Sequence, residues 1–288
     1  MSDESAARSL ISKSILACEI YELWGQGITF EELHNSVRSR TKQMWEAFTE
    51  VSFRFEVDTF GFKYNEPAKR DIIESFAYLG FQGPIRLKNA QELFSVLEAR
   101  PAWVAYKETA QGATMSDKIK DRKIYFGRWL SHGSRELINQ YSLKKRNYIS
   151  TTSMDAELSF ITANMALAAA GKLFLDPFVG TGGFSIAAAH FGAFTLGSDI
   201  DPRSFKGKDD PSGKPTGIRA NFHQYGIEGK FWDVFTADLV HTPLRNMPFL
   251  DGIICDPPYG IREGLRVLGT RDGVPQPIVS VDGVPTYK

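Results

Sequence analysis

Two short runs carry residue types that could do chemistry together. The first, Leu173 to Phe184, reads L-F-L-D-P-F-V-G-T-G-G-F. An apolar stretch ends at Asp176-Pro177, passes through a glycine loop and turns helix-like over Phe184 to Ala189. Strand, tight turn and helix is the arrangement in which an open α/β sheet holds a nucleotide-like ligand at a strand's carboxyl end. Gly180, Gly182 and Gly183 can take positive φ and let a ligand lie against bare backbone. The second run, Ile253 to Gly260, reads I-I-C-D-P-P-Y-G. The exocyclic amine of a nucleobase is a poor nucleophile, because its lone pair is delocalised into the ring. A carboxylate such as Asp256 and a proline carbonyl such as that of Pro257 can accept its two N–H bonds and aim the lone pair at an electrophilic methyl. Pro257 and Pro258 hold that carbonyl with fixed φ and no competing N–H. Tyr259 can stack on the base, a contact worth about 1–3 kcal/mol.

The elements that must position these groups recur along the second half of the chain. After the glycine loop come apolar strands expected over Ala193 to Ser198, Phe231 to Ala237 and Leu250 to Cys255. Each of the four strands is followed by an aspartate: Asp176, Asp199, Asp238 and Asp256. In a parallel sheet these carboxylates emerge along one edge, where a ligand crevice lies. Asp199 stands where an acid accepts both hydroxyls of a ribose, and Asp238 where one accepts a hydrogen bond from an adenine amine. Helix capping is the simpler role for either acid taken singly. A plain dinucleotide fold is an alternative for the loop, but Asp-Pro before it and Asp-Pro-Pro-Tyr after the fourth strand suit a methyl donor better.

With 288 residues and 42% hydrophobic content the chain can bury a core, and its length suggests about two domains. Lys+Arg and Asp+Glu balance at 34 each, so there is no global cationic field to announce a nucleic-acid partner. Between Asp117 and Arg146, however, cations outnumber acids, as a surface that follows a phosphate backbone would require; a solvated charged face reads the same way. Two cysteines, Cys18 and Cys255, make a disulfide framework improbable and point to a reducing compartment. There is no CxxC or HxxxH spacing for a metal, and no role follows for the five scattered histidines. The start of the chain lacks the features of a secretion signal, and no apolar run approaches the roughly 20 residues that cross a bilayer. The expectation is a soluble, intracellular, cytoplasmic protein.

Upstream, a short helix or helix-then-strand is expected over Ser5 to Cys18, leading to Ile20 to Trp24, a turn at Gly25-Gln26-Gly27 and a helix from Phe30 capped by Thr29. Val51 to Phe60 alternates as a half-buried strand. Pro67 to Leu79 reads as a helix stopped by Gly80, Pro84 to Leu87 as a short strand, and Glu92 to Leu97 as strand or helix. Ala110 to Lys120 reads as a polar connection, Ile124 to Leu130 as a strand and Ser134 to Ser142 as a helix. Tyr125, Phe126 and Trp129 could stack on RNA, although aromatics at strand spacing usually belong to a core. A helix is expected from Ala156 to Ala170, capped by Thr152 or Ser153 and ended by Gly171. Arg203 to Gly217, rich in Lys, Asp, Pro and Gly, reads as a mobile surface loop. Only 29 residues follow Tyr259, where a complete doubly wound domain normally carries further strands; a shortened chain, or a sheet completed by another chain, is the expectation.

The pair D-P-F-V-G-T-G-G and D-P-P-Y-G-I-R-E resembles class I S-adenosylmethionine-dependent methyltransferases of the amino-methylating type. The wider set Y-E-L-W-G-Q-G, I-Y-F-G-R-W, S-L-K-K-R-N-Y and T-S-M-D-A-E-L-S-F is similar to one family within it, the catalytic subunits of eukaryotic tRNA guanosine N2-methyltransferases acting at nucleotide ten. The resemblance covers nearly the whole chain except Arg203 to Gly217 and the last twenty or so residues. It implies an α/β fold: the first half of a Rossmann-like methyltransferase sheet over residues 144–288, incomplete at its carboxyl end. An α+β THUMP RNA-binding domain over 51–143 would precede it, and part of a ferredoxin-like domain would occupy 1–50. It further implies that Asp176, Phe178, Gly180 and Gly182 contact the methionine part of S-adenosylmethionine, with Thr152 and Met154 flanking it. Asp199 would hold the ribose and Asp238 the adenine, while Asp256, Pro257, Pro258 and Tyr259 grip the target amine. The implied partners are tRNA and a small zinc-binding activator subunit, with the zinc in that subunit. Two other readings remain open here: a DNA adenine or protein glutamine amino-methyltransferase, and an RNA-binding module with an incomplete catalytic half.

Overall fold

The computed structural model describes residues 3–100, 122–150, 153–208, 210–239, 242–258, 278–281 and 284–287, the last two segments as backbone alone. The polar connection expected over Ala110 to Lys120 lies outside them. The chain divides into two compact units, Met1–Ser12 with Glu19–His132, and Lys13–Cys18 with Gly133–Lys288.

In the first unit, α1 (Glu4–Ile11) is capped by Asp3, whose side chain accepts the Ser5 N–H. Strands β1 (Glu19–Gly27), β2 (Phe53–Phe60), β3 (Glu92–Ala99) and β4 (Lys123–His132) form one sheet in the order β1-β4-β3-β2. β2 and β3 run parallel; β4 is antiparallel to both its neighbours. Glu92 to Leu97 therefore resolves to strand. The sheet joins β1 to strands beyond residue 50, so the division expected there does not coincide with a structural break.

Helix α2 (Phe30–Thr41) begins at Thr29, whose hydroxyl accepts the Glu32 N–H at 3.2 Å. Its Leu33 and Val37 pack into a core with Trp24, Phe94 and Phe126. The expected turn at Gly25-Gln26-Gly27 is instead the end of β1. A Cβ on Gly25 would lie 2.5 Å from Val37 Cγ2, and one on Gly27 would lie 2.6 Å from the Leu33 nitrogen. These glycines let the helix backbone settle on the strand, which their turn-like composition disguised. Phe126 stacks on Phe76 at 4.2 Å between ring centroids inside this core, so it is not an RNA platform. Helix α3 (Glu66–Glu74) gives way to a 3₁₀ turn that ends at Gly80, with φ of 72°. Pro84 to Leu87 does not form a strand: only Ile85 bridges to Phe53, and Ile85 and Leu87 are 71% and 81% exposed. Apolar residues alone do not make a strand where no partner supplies a ladder.

In the second unit, α4 (Glu136–Gln140), α5 (Ala156–Met165), α6 (Gly183–His190), α7 (Arg203–Lys206) and α8 (Gly217–Gln224) accompany a parallel sheet. Its strands are β5 (Leu173–Asp176), β6 (Phe194–Asp199), β7 (Phe231–Thr236) and β8 (Gly252–Ile253), in the order β7-β6-β5-β8. Every residue of β5, and α6 from Gly183 to Ala189, is buried. This follows from segments apolar on nearly every side, with Asp176 and Ser185 the polar exceptions, which have no face to offer water. The cap of α5 is Asp155, which accepts the Leu158 N–H at 3.0 Å, rather than Thr152 or Ser153. That helix stops at Met165, and Leu167 has φ of 58°. Arg203 to Gly217 is not wholly a surface loop, since Phe205 on α7 is 3% exposed within the core. A β-hairpin, β9 (Ile278–Val281) and β10 (Val284–Tyr287), closes the described chain.

Candidate active site

The strand order reverses between β5 and β8. β6 and β7 lie to one side of β5 and β8 to the other, and it is outside the carboxyl ends of such a pair that open parallel sheets form their crevice. The glycine loop leaves β5, and Cys255-Asp256-Pro257-Pro258 leaves β8, with the Ile254 N–H still bonded to the Leu175 carbonyl at 3.0 Å. Two runs some eighty residues apart in sequence are thus brought to adjacent strand ends.

The loop is built on positive φ at Gly180 (48°) and Gly182 (82°). Around Gly180 a Cβ would meet nothing nearer than the Phe178 carbonyl at 4.0 Å, whereas at Gly182 it would strike Ile218 of α8 at 2.7 Å. Gly180 therefore leaves open space for a ligand, and Gly182 lets α8 close on the loop. Gly183 faces Met154, whose Cβ would lie 3.2 Å from a Cβ placed there, so Met154 packs against the start of α6. Thr152 and Tyr259 lie outside the described residues.

Asp199 at the end of β6 is pinned by two backbone donors. The Gly180 N–H donates to Oδ2 at 3.0 Å and the Asp201 N–H to Oδ1 at 2.9 Å. Each carboxylate oxygen keeps acceptor capacity, so this brace leaves room for a hydroxyl. The Ala237 N–H donates to the Asp199 carbonyl at 3.2 Å, which brings buried Asp238 to the same edge.

Asp176 is 3% exposed and accepts the Phe178 N–H at 3.0 Å. Burial pushes its carboxyl up to about 8; the Phe178 N–H pulls the other way, and the charges of Asp199 and Asp256 raise it further. Burial, with Asp176 and Asp256 nearby, also raises the Cys255 thiol. Asp256 itself is exposed. An acid-lined edge beside a glycine with open space suits a ligand with a cationic amino or sulfonium group, which would relieve the repulsion among these carboxylates. S-adenosylmethionine has that chemistry, and Asp176, Gly180, Asp199 and Asp238 are the residues that would hold it.

Some contacts at the loop were not foreseen from sequence. Asn221 on α8 donates from Nδ2 to the Tyr148 carbonyl at 2.8 Å and to the Thr181 carbonyl at 3.1 Å, and its Oδ1 accepts the Tyr148 N–H at 2.8 Å. The Ser153 and Thr181 hydroxyls lie 2.8 Å apart. The available signal was an Asn in helix interior, three residues from Ile218 and one from Phe222, on an apolar face where Asn is a poor choice without a buried partner.

Residues 1–135 match the family described as Tmrp11 THUMP N-terminal domain, and residues 144–267 match that described as RMKL-like, methyltransferase domain. A protein of Saccharomyces cerevisiae named tRNA (guanine(10)-N(2))-methyltransferase is 42% identical over 276 residues, covering 94% of this chain and 60% of that protein. One of the same name from Schizosaccharomyces pombe is 42% identical over 261 residues, covering 90% of this chain and 51% of that protein. The human tRNA (guanine(10)-N(2))-methyltransferase TRMT11 is 38% identical over 287 residues, covering 96% of this chain and 59% of that protein. The chain thus spans between 51% and 60% of the length of these relatives. The two halves of the chain thus match, in this order, the families described as Tmrp11 THUMP N-terminal domain and RMKL-like, methyltransferase domain.

Proposed function

We propose that this chain carries the methyl-transferring site of a tRNA methyltransferase, which moves a methyl group from S-adenosylmethionine to the exocyclic N2 amine of a guanosine. The observation that carries the reading is the adjacency of β5 and β8, with the glycine loop after one and Asp256-Pro257-Pro258 after the other. The relatives' names and the THUMP match favour tRNA over a DNA adenine or a protein glutamine.

Bound at the loop, the cofactor supplies an electrophilic methyl group. Asp176, Phe178, Gly180 and Gly182 hold its methionine end, flanked by Thr152 and Met154; Asp199 takes the ribose hydroxyls and Asp238 the adenine amine. The Asp256 carboxylate and the Pro257 carbonyl accept the two N–H bonds of the target amine, Pro258 stiffens the turn and Tyr259 stacks on the base. The catalytic gain is alignment of amine and methyl. A zinc-binding activator subunit and a cytoplasmic location belong to the same proposal. Among the described residues no cluster of His, Cys, Asp and Glu could hold a metal, and no helix is long and apolar enough to cross a membrane.

The test is Asp256→Ala with tRNA, labelled S-adenosylmethionine and an activator subunit. Methyl transfer is expected to fall by about 100-fold or more, while cofactor affinity measured by calorimetry stays within about twofold. An equal loss of affinity and rate would remove Asp256 from the role given to it.

A further inference from the structure

Asn221 is fully buried, yet every polar atom of its carboxamide is used. Two of its three hydrogen bonds are with Tyr148, one accepted from that residue's N–H and one donated to its C=O, so the side chain pairs with it as a neighbouring strand would. The third reaches the Thr181 carbonyl, inside the glycine loop. The orientation of the amide is determined by its surroundings: two carbonyls require the nitrogen and one N–H requires the oxygen. The segment Tyr148 carries is held at further points. The Tyr148 hydroxyl donates to the Arg203 carbonyl at 2.9 Å, in the stretch that follows Asp199. The Ser150 N–H donates to Ser153 Oγ at 2.9 Å, and Ser153 Oγ meets Thr181 Oγ1. One buried side chain therefore joins the glycine loop to Tyr148, while Ser153, next to the Met154 that packs against Gly183, links Ser150 to the same loop.

We propose that Asn221 is a positioning residue for the crevice: through Thr181 and Tyr148 it sets the spacing between the glycine loop and the stretch from Tyr148 to Ser150, and so the affinity for the cofactor. This rests on the methyltransferase reading above. Helix packing alone would not need it. Ile218 and Phe222 already supply the apolar contacts of that face of α8, and an apolar residue of similar length would serve the helix better. Gln224, one turn on, also holds the incoming segment, accepting the Asn147 N–H at 2.7 Å and donating to the Lys145 carbonyl at 2.6 Å. Among the described residues it has no hydrogen bond to the loop, so it separates holding the segment from coupling it to the loop.

The experiment is calorimetric binding of S-adenosylhomocysteine to the whole chain, with thermal unfolding of each variant alongside. Asn221→Leu is expected to remain folded and bind about tenfold more weakly, the effect of losing roughly one net hydrogen bond of organisation. Gln224→Ala is expected to bind as the unsubstituted chain does. Equal affinity in folded Asn221→Leu overturns the proposal, as does an equal loss in Gln224→Ala. Hydrogen exchange in the unsubstituted chain covers the case in which Asn221→Leu does not fold. The Tyr148 N–H should exchange more slowly with the ligand bound, and an unchanged rate at saturation overturns the proposal. Should the unsubstituted chain itself fail to bind, the methyltransferase reading falls and takes this role with it, an outcome distinct from loss of the Asn221 effect alone.

Discussion

At the scale of single residues, Asp176 couples burial to ligand chemistry. Its carboxyl lies near 8 in the folded chain, against about 3.9 when exposed, so in the ligand-free protein it is mostly protonated at neutral pH. A cation placed beside it favours the charged form. The folded state therefore holds a proton that the unfolded state releases between these two values. Its stabilising contribution is fully present below pH 4 and is lost as pH rises toward and through 8, with a slope of at most about 1.4 kcal/mol per pH unit. Asp176→Asn, which keeps the shape without the charge, should flatten the fall in melting temperature between pH 5 and 8. An unchanged pH profile would show that Asp176 titrates normally. Asp199 carries a different lesson: the acid expected at a ribose also braces the glycine loop through the Gly180 N–H, so its removal should disturb loop and ligand together.

Among the elements, β3 shows how the end of an interior strand is closed around a charge. Glu98 is fully buried, accepting from Arg122 at 2.8 and 3.0 Å, from Arg100 at 2.9 Å and from the Tyr64 hydroxyl at 2.7 Å. Burial works to raise its carboxyl, and the hydrogen bonds from Arg122, Tyr64 and Arg100 together outweigh it, leaving it below the ordinary carboxylate value. Its contribution is thus present above that ordinary value and lost on acidification through the lowered one. Glu98→Gln leaves two arginines without a counter-charge. It should cost about 3 kcal/mol in urea unfolding, the low end for a broken buried pair because both arginines keep some contact with water. A loss under about 0.5 kcal/mol would mean that the cluster is no stronger than a surface pair.

Over the whole molecule, a net charge of zero conceals how the cations are spent. Of the stretch from Asp117 to Arg146, Arg122 serves Glu98, Arg128 binds Glu4, Glu22 and Glu92, and Arg146 is buried. The expected phosphate-following surface is therefore much reduced among the described residues. Lys144 and Lys145 stay exposed. If they meet phosphates in the proposed tRNA complex, the double variant Lys144→Ala/Lys145→Ala should lower the slope of log affinity against log salt by roughly 0.7–0.9 for each contact removed. An unaltered slope would place the tRNA elsewhere.

What could be read from residues alone was whatever depends on short-range physics. Strand and helix periods, the Thr29 cap, the glycine loop and the acids at four strand ends all follow from backbone conformation and spacing within a few residues. The spare glycines of β1, the early end of α5 and the buried Phe205 did not, because each answers to a neighbour distant in sequence. The decisive features are of this second kind. Which strand lies beside β5, how far burial moves Asp176 and what Asn221 ties together are set by packing between segments up to eighty residues apart. Local patterns could supply the groups, but desolvation and pairing exist only once the sheet has assembled around them.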